Sequence, residues 1–203
     1  MASARMPHTQ CPDLVAIGSS TGGPDALATI FKALPRHFPV PVVVTQHMPK
    51  LFLEKLATRI AGISKLTCSV AKDGDILQAG HIYFAPGDIH MKIVGFGSRL
   101  RVKLEDGPKV NHCIPSVDVL FESLAELSPK VKTLGLVITG MGDDGAKGAK
   151  LLADKHNLVL VQDEATSTVW GMAGATMRLG AAAEALPLDA IARRLIRYTE
   201  CRA

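Results

Sequence analysis

The stretch Leu14-Val15-Ala16-Ile17-Gly18-Ser19-Ser20-Thr21-Gly22-Gly23 decides the fold class. Four consecutive apolar residues stop at a glycine, and a helical spacing of Leu27, Ile30, Phe31 and Leu34 begins just after Pro24. An apolar run that short, without alternation, is a strand buried on both faces, and glycines between it and a helix make a tight βα turn. The same unit recurs outward. Val40 to Val44 ends at Thr45-Gln46-His47 and leads to a helix from about Leu51 to Ile60. Leu134 to Ile138 precedes a helix at about Gly145 to Lys155, and Leu158 to Val161 precedes one near Thr168 to Leu179. Strands apolar on both faces that alternate with amphipathic helices predict a doubly wound α/β fold, its mostly parallel sheet covered by helices on both faces.

The middle third breaks this rhythm. Leu66 to Val70, His81 to Ala85, His90 to Val94 and Leu100 to Leu104 are short strands separated by turns, and the last two, joined through Gly95-Phe96-Gly97-Ser98, predict an antiparallel hairpin at one edge of the sheet. Asn111 to Ser116 is a polar loop entering a helix, with Ser116 a suitable N-cap. No linker or repeat divides the chain, so residues 1–13 are expected as an N-terminal extension and residues 14–203 as one domain.

Composition narrows the function classes. With 203 residues, 47% hydrophobic and 21% charged, the chain has enough material for one core without staples. A net charge of +4, with only a loose basic cluster at Arg193, Arg194, Arg197 and Arg202, lacks the dense stripe of a nucleic-acid binder. Four widely separated cysteines (Cys11, Cys68, Cys113, Cys201) suggest neither a disulfide framework nor a metal site. There is no apolar leader and no run long enough to span a membrane, so no membrane insertion is expected and the cytoplasm is the expected compartment.

In an open parallel sheet, chemistry gathers at the carboxyl ends of strands. Three polar clusters lie there: residues 18–23, Gln46-His47-Met48, and Thr139-Gly140-Met141-Gly142-Asp143-Asp144-Gly145. The first contains a G-x-S-x-G on Gly18, Ser20 and Gly22, which would present Ser20 as a nucleophile on a sharp turn. The same residues could equally form a glycine turn capped by serines. A phosphate cradle fits less well, because the spacing is not G-x-G-x-x-G and no lysine follows the glycines. His47 is the natural base, and Asp144 or Asp143 could orient its imidazole. The chain order Ser20, His47, Asp144 differs from that of ordinary α/β-hydrolases. Two hypotheses therefore stand: a serine hydrolase, and a non-catalytic α/β module binding an anion or a protein.

Five ordered blocks together resemble the catalytic domain of the chemotaxis protein-glutamate methylesterases, CheB. They are residues 17–23, Thr45-Gln46-His47-Met48-Pro49, Tyr83 to Met91, Pro115-Ser116-Val117-Asp118-Val119-Leu120-Phe121, and Leu136 to Ala146. The resemblance implies Ser20 as nucleophile, His47 as base and Asp144 as orienting acid, with Thr21 and Met141 positioning substrate or forming the oxyanion hole. It implies hydrolysis of glutamyl methyl esters on the cytoplasmic helices of methyl-accepting chemoreceptors with release of methanol, deamidation of receptor glutamines, and no metal or organic cofactor. It also implies that the receiver domain of regulated members is absent from this chain. The sequence departs from the family pattern at Asp143, commonly Asn, in the stretch Asn111-His112-Cys113-Ile114-Pro115, which lacks the arginine often found before Pro-Ser, and at Ala173, usually Pro.

Overall fold

The computed structural model describes residues 11–200. Its frame is a seven-stranded, all-parallel sheet in the order β3-β4-β2-β1-β7-β8-β9. These strands are β1 (Leu14–Ser19), β2 (Val42–Gln46), β3 (Thr67–Val70), β4 (His81–Phe84), β7 (Thr133–Val137), β8 (Leu158–Gln162) and β9 (Glu184–Leu186). β5 (His90–Val94) and β6 (Arg101–Glu105) form the expected antiparallel hairpin. It stands as a two-stranded sheet of its own rather than lengthening the main sheet. Its apolar side chains Met91, Ile93 and Val102 turn toward the core instead, and the loop between β3 and β4 hydrogen-bonds along it through the Gly74 and Leu77 amides to Val102 and Leu100.

Among the described residues, six α-helices cover the sheet: α1 (Gly23–Ala33), α2 (Lys50–Ile63), α3 (Val117–Leu127), α4 (Ala146–Asp154), α5 (Met172–Arg178) and α6 (Leu188–Thr199). Strand alternation sorts the core into two layers. Val15 and Ile17 of β1 face the layer built with α1, α2 and α6, where Leu27, Phe31, Leu53 and Leu195 are buried. Leu14 and Ala16 face the layer built with α3, α4, α5 and the hairpin, where Leu120, Phe121, Leu124 and Leu152 are buried. β9 and α6 carry no expectation from the sequence, although Ile191, Ala192 and Leu195 of α6 form a buried stripe at helical spacing.

Cys11 is disulfide-bonded, contrary to the expectation from cysteine spacing, whereas Cys68 and Cys113 are free. Linear separation holds no information about which segments a fold brings together. Among the described residues, no helix is long and apolar enough to cross a membrane.

Close approach at the head of β1 depends on glycine. A Cβ on Gly18 would lie 2.3 Å from Cγ1 of the buried Val117 at the start of α3, and one on Gly145 would lie 2.6 Å from the same atom. Gly18→Ala is therefore expected to destabilise the fold by about 1–3 kcal/mol through overpacking. In a Val117→Ala background that cost should fall below about 1 kcal/mol, because the obstructing methyl groups are gone. Urea unfolding of the four proteins in this cycle reads the coupling.

Candidate active site

The order in which strands are added reverses between β1 and β7, since β2, β4 and β3 extend the sheet one way and β8 and β9 the other. A crevice opens at the carboxyl ends of the strands at such a switch point. Ser20 follows β1, His47 follows β2, and Asp144 follows β7, so the three candidate residues leave three adjacent strands.

Register sets the first two side by side. Ser19 pairs with Gln46 across β1 and β2, and the His47 amide donates to the Ser19 carbonyl at 2.9 Å. Ser20 and His47 are thus the next residues on neighbouring chains about 4.8 Å apart. Gln46, fully buried, fastens this junction. Its Oε1 accepts from Ser19 Oγ at 2.7 Å, and its Nε2 donates to the Ser20 carbonyl at 2.9 Å and the His47 carbonyl at 3.0 Å. Beyond Ser20, Gly22 adopts φ 80°, a left-handed turn that favours glycine, and starts α1. The loop after β7 is tied to this turn by Thr139, whose amide donates to Gln162 and whose hydroxyl donates to the Thr21 carbonyl at 2.9 Å, while the Ser20 amide donates to the Thr139 carbonyl at 3.1 Å.

Asp144 is buried, and Asp143 beside it is exposed. His47 Nε2 lies 2.7 Å from Asp144 Oδ2. The carboxylate sits at the N-terminus of α3, accepting from the Ser116 hydroxyl at 2.7 Å, the Val117 amide at 2.7 Å, the Asp118 amide at 3.3 Å and Asn111 Nδ2 at 3.0 Å. An anion there satisfies unpaired helix amides and meets the positive end of the helix dipole. Burial works to raise the pKa of Asp144, but the hydrogen bonds from His47, Ser116, Val117 and Asn111 outweigh it and hold the carboxyl below its ordinary value. Asp118, bonded to the Gly148 amide at 2.7 Å and Asn111 Nδ2 at 2.6 Å, is pushed above its ordinary value, chiefly by burial.

A depressed acid pKa stabilises the fold in one direction of pH. The contribution of Asp144 is fully present above about pH 4, the unfolded range for aspartate, and is lost as pH falls through the lower folded value. The stability difference between the wild type and Asp144→Asn, measured by urea unfolding, should therefore be largest near neutrality and shrink steadily below about pH 4.

The other ring nitrogen of His47 faces a residue that the sequence reading left outside the site. Nδ1 lies 3.6 Å from Cys113 Sγ, and no hydrogen bond joins His47 to Ser20 Oγ among the described residues. One donor atom each from His47, Cys113 and Asp144 fall within 4.8 Å of one another. Thr21, next to Ser20, and Met141, in the loop after β7, are both exposed, Met141 with 74% of its surface. Gln46, Asn111 and Cys113 were missed because each gains its role from a partner far away in the chain. For Asn111 the signal was its place in a polar loop before a Ser N-cap, and its backbone at φ 48° is one that asparagine tolerates better than most residues.

The sequence model of the CheB methylesterase family matches residues 15–195. The chain belongs to the CheB methylesterase family. It is 45% identical over 202 residues to the protein-glutamate methylesterase/protein-glutamine glutaminase 1 of Rhodospirillum rubrum, covering 98% of this chain and 52% of that protein. It is 44% identical over 190 residues to the corresponding protein of Maricaulis maris, covering 94% and 47%. The chain thus spans about half the length of the curated relatives it matches. The crystal structure of the Thermotoga maritima CheB methylesterase catalytic domain superposes with a TM-score of 0.88 at 38% identity, covering 93% of this chain and 99% of that one. The doubly wound α/β fold expected from the sequence is the fold of this CheB catalytic domain.

Proposed function

We propose that this chain is a serine hydrolase that removes methyl esters from glutamate side chains on the cytoplasmic helices of chemoreceptors and deamidates receptor glutamines. The observation that carries the reading is the 2.7 Å contact between His47 Nε2 and Asp144, with the carboxylate fixed at the start of α3. A carboxylate on Nε2 stabilises the tautomer that keeps a proton there and leaves the Nδ1 lone pair free to act as base.

In this mechanism Ser20 Oγ gives its proton to His47 Nδ1 as it attacks the ester carbonyl. The new Oγ–C bond forms a tetrahedral oxyanion, for which the backbone amides of Thr21 and Met141 are the candidate donors. Collapse breaks the bond to the methoxy group, which takes the proton from Nδ1 and leaves as methanol. Water, activated by the same nitrogen, then hydrolyses the acyl-Ser20 intermediate to glutamate. Asp144 holds the imidazolium formed in each half-reaction and does not itself take the proton. With glutamine, the leaving group is ammonia. Cys113 competes with Ser20 for the same lone pair, so its thiol must turn away before attack. The net charge of +4 favours encounter with acidic receptor helices, an effect that salt screens.

The names of the relatives support the reading. The test is to incubate the chain with a methyl-esterified receptor fragment and measure methanol. Catalytic release supports the hydrolase, whereas binding of the fragment without methanol release overturns it in favour of a binding module.

A further inference from the structure

We propose that His47 Nδ1 and Cys113 Sγ form a capture site for a thiophilic divalent cation, Zn²⁺, which inhibits the esterase by occupying the nitrogen that must serve as base. The inhibition rests on the function proposed above. The capture itself does not.

Two features of the site point to a metal. The first is the span: zinc bonds of 2.0–2.1 Å to imidazole and 2.3 Å to thiolate, set at the tetrahedral angle, separate N from S by about 3.5 Å. The separation here is 3.6 Å, so a Zn²⁺ ion can sit between the two atoms with little movement of either. The second is what lies behind the ring. Metal-bound histidines donate their other N–H to a carboxylate, which fixes the tautomer and strengthens the ligand. Asp144 already occupies that position on Nε2 at 2.7 Å, itself anchored by Ser116, Asn111 and the Val117 amide.

Binding involves no change of oxidation state. Cys113 loses its proton to solvent, a Zn–S and a Zn–N bond form, and two positions remain on the metal for water. The Nδ1 lone pair is then committed, and Ser20 has no base.

The deciding experiment uses Co²⁺ as a spectroscopic substitute for zinc, because its thiolate charge-transfer absorption reports a Co–S bond whether or not the protein is an esterase. The expected result is one such site per wild-type chain, displaced by Zn²⁺, lost in Cys113→Ala and in His47→Ala, and retained in Cys68→Ala. Cys113→Ser, which keeps the side-chain volume, should also lose the band. In parallel, the Zn²⁺ concentration for half-inhibition of methanol release should rise roughly tenfold or more in Cys113→Ala. Absence of the band in the wild type, or its survival in both Cys113→Ala and Cys113→Ser, overturns the proposal. A cobalt band without any methanol release would leave the site standing and remove only the esterase reading.

Discussion

Ser20→Ala is expected to lower methanol release from a methylated receptor fragment by about four orders of magnitude or more while leaving the protein folded. The fold should be indifferent to the change. The Ser20 amide bonds to Thr139 and its carbonyl accepts from Gln46, and both contacts survive in alanine. What disappears is the hydroxyl oxygen that forms the acyl-enzyme in the proposed mechanism. The adjacent serine gives the contrast. Ser19 is fully buried, and its hydroxyl is engaged with Gln46 Oε1 at 2.7 Å. Ser19→Ala should therefore cost about 1 kcal/mol of stability through the lost hydrogen bond, with a far smaller effect on turnover. Rates measured on both variants, with circular dichroism as the check on folding, separate a nucleophile from a turn residue. Equal rates for the wild type and Ser20→Ala would remove Ser20 from the chemistry.

The second large effect concerns the paired aspartates. Asp144→Asn should reduce kcat by about 10⁴, the scale for an orienting carboxylate whose amide replacement selects the wrong imidazole tautomer. Asp144 receives hydrogen bonds from His47, Ser116, Asn111 and the Val117 and Asp118 amides. An asparagine offers one oxygen to these donors and turns an NH₂ group toward the rest, so either His47 or the α3 N-terminus loses its acceptor. Asp143 is exposed and has no such set of partners, and Asp143→Asn should change turnover by less than about threefold, as expected for a surface charge removed at a distance from the reacting atoms. Steady-state kinetics on the two variants provide the comparison, and the reverse ranking would reassign the orienting acid.

Much of the fold was legible because β1, β2, β7 and β8 are uninterrupted aliphatic runs, each followed by a helix with an apolar stripe. Nothing else that short and apolar fits a single α/β domain as well as a buried parallel strand. The hairpin was legible as a pair but not in position, since placement depends on which side of Met91, Ile93 and Val102 finds apolar cover, and that cover comes from elements remote in sequence. β9 is only three residues, too short for periodicity to register. The positions of Ser20, His47 and Asp144 could be anticipated from a general rule about strand ends. The residues alone left Asp143 and Asp144 both open, and only the motif resemblance favoured Asp144, because the physical distinction turns on which of two neighbours enters the α3 N-terminus. Cys113 was invisible for the same reason: the residue it faces is His47, brought to it by the loop from 111 to 116 folding over the strand ends.

That neighbour makes the identity of the nucleophile the central question, since Cys113, not Ser20, is the residue in contact with the basic nitrogen of His47. The most direct test is labelling with a fluorophosphonate, which reacts with an activated serine nucleophile, followed by peptide mass mapping. The account predicts one phosphonyl group per chain, carried by Ser20, abolished by Ser20→Ala and strongly slowed by Asp144→Asn. Failure of the folded wild-type protein to react, or an adduct carried by Cys113 in place of Ser20, would contradict it.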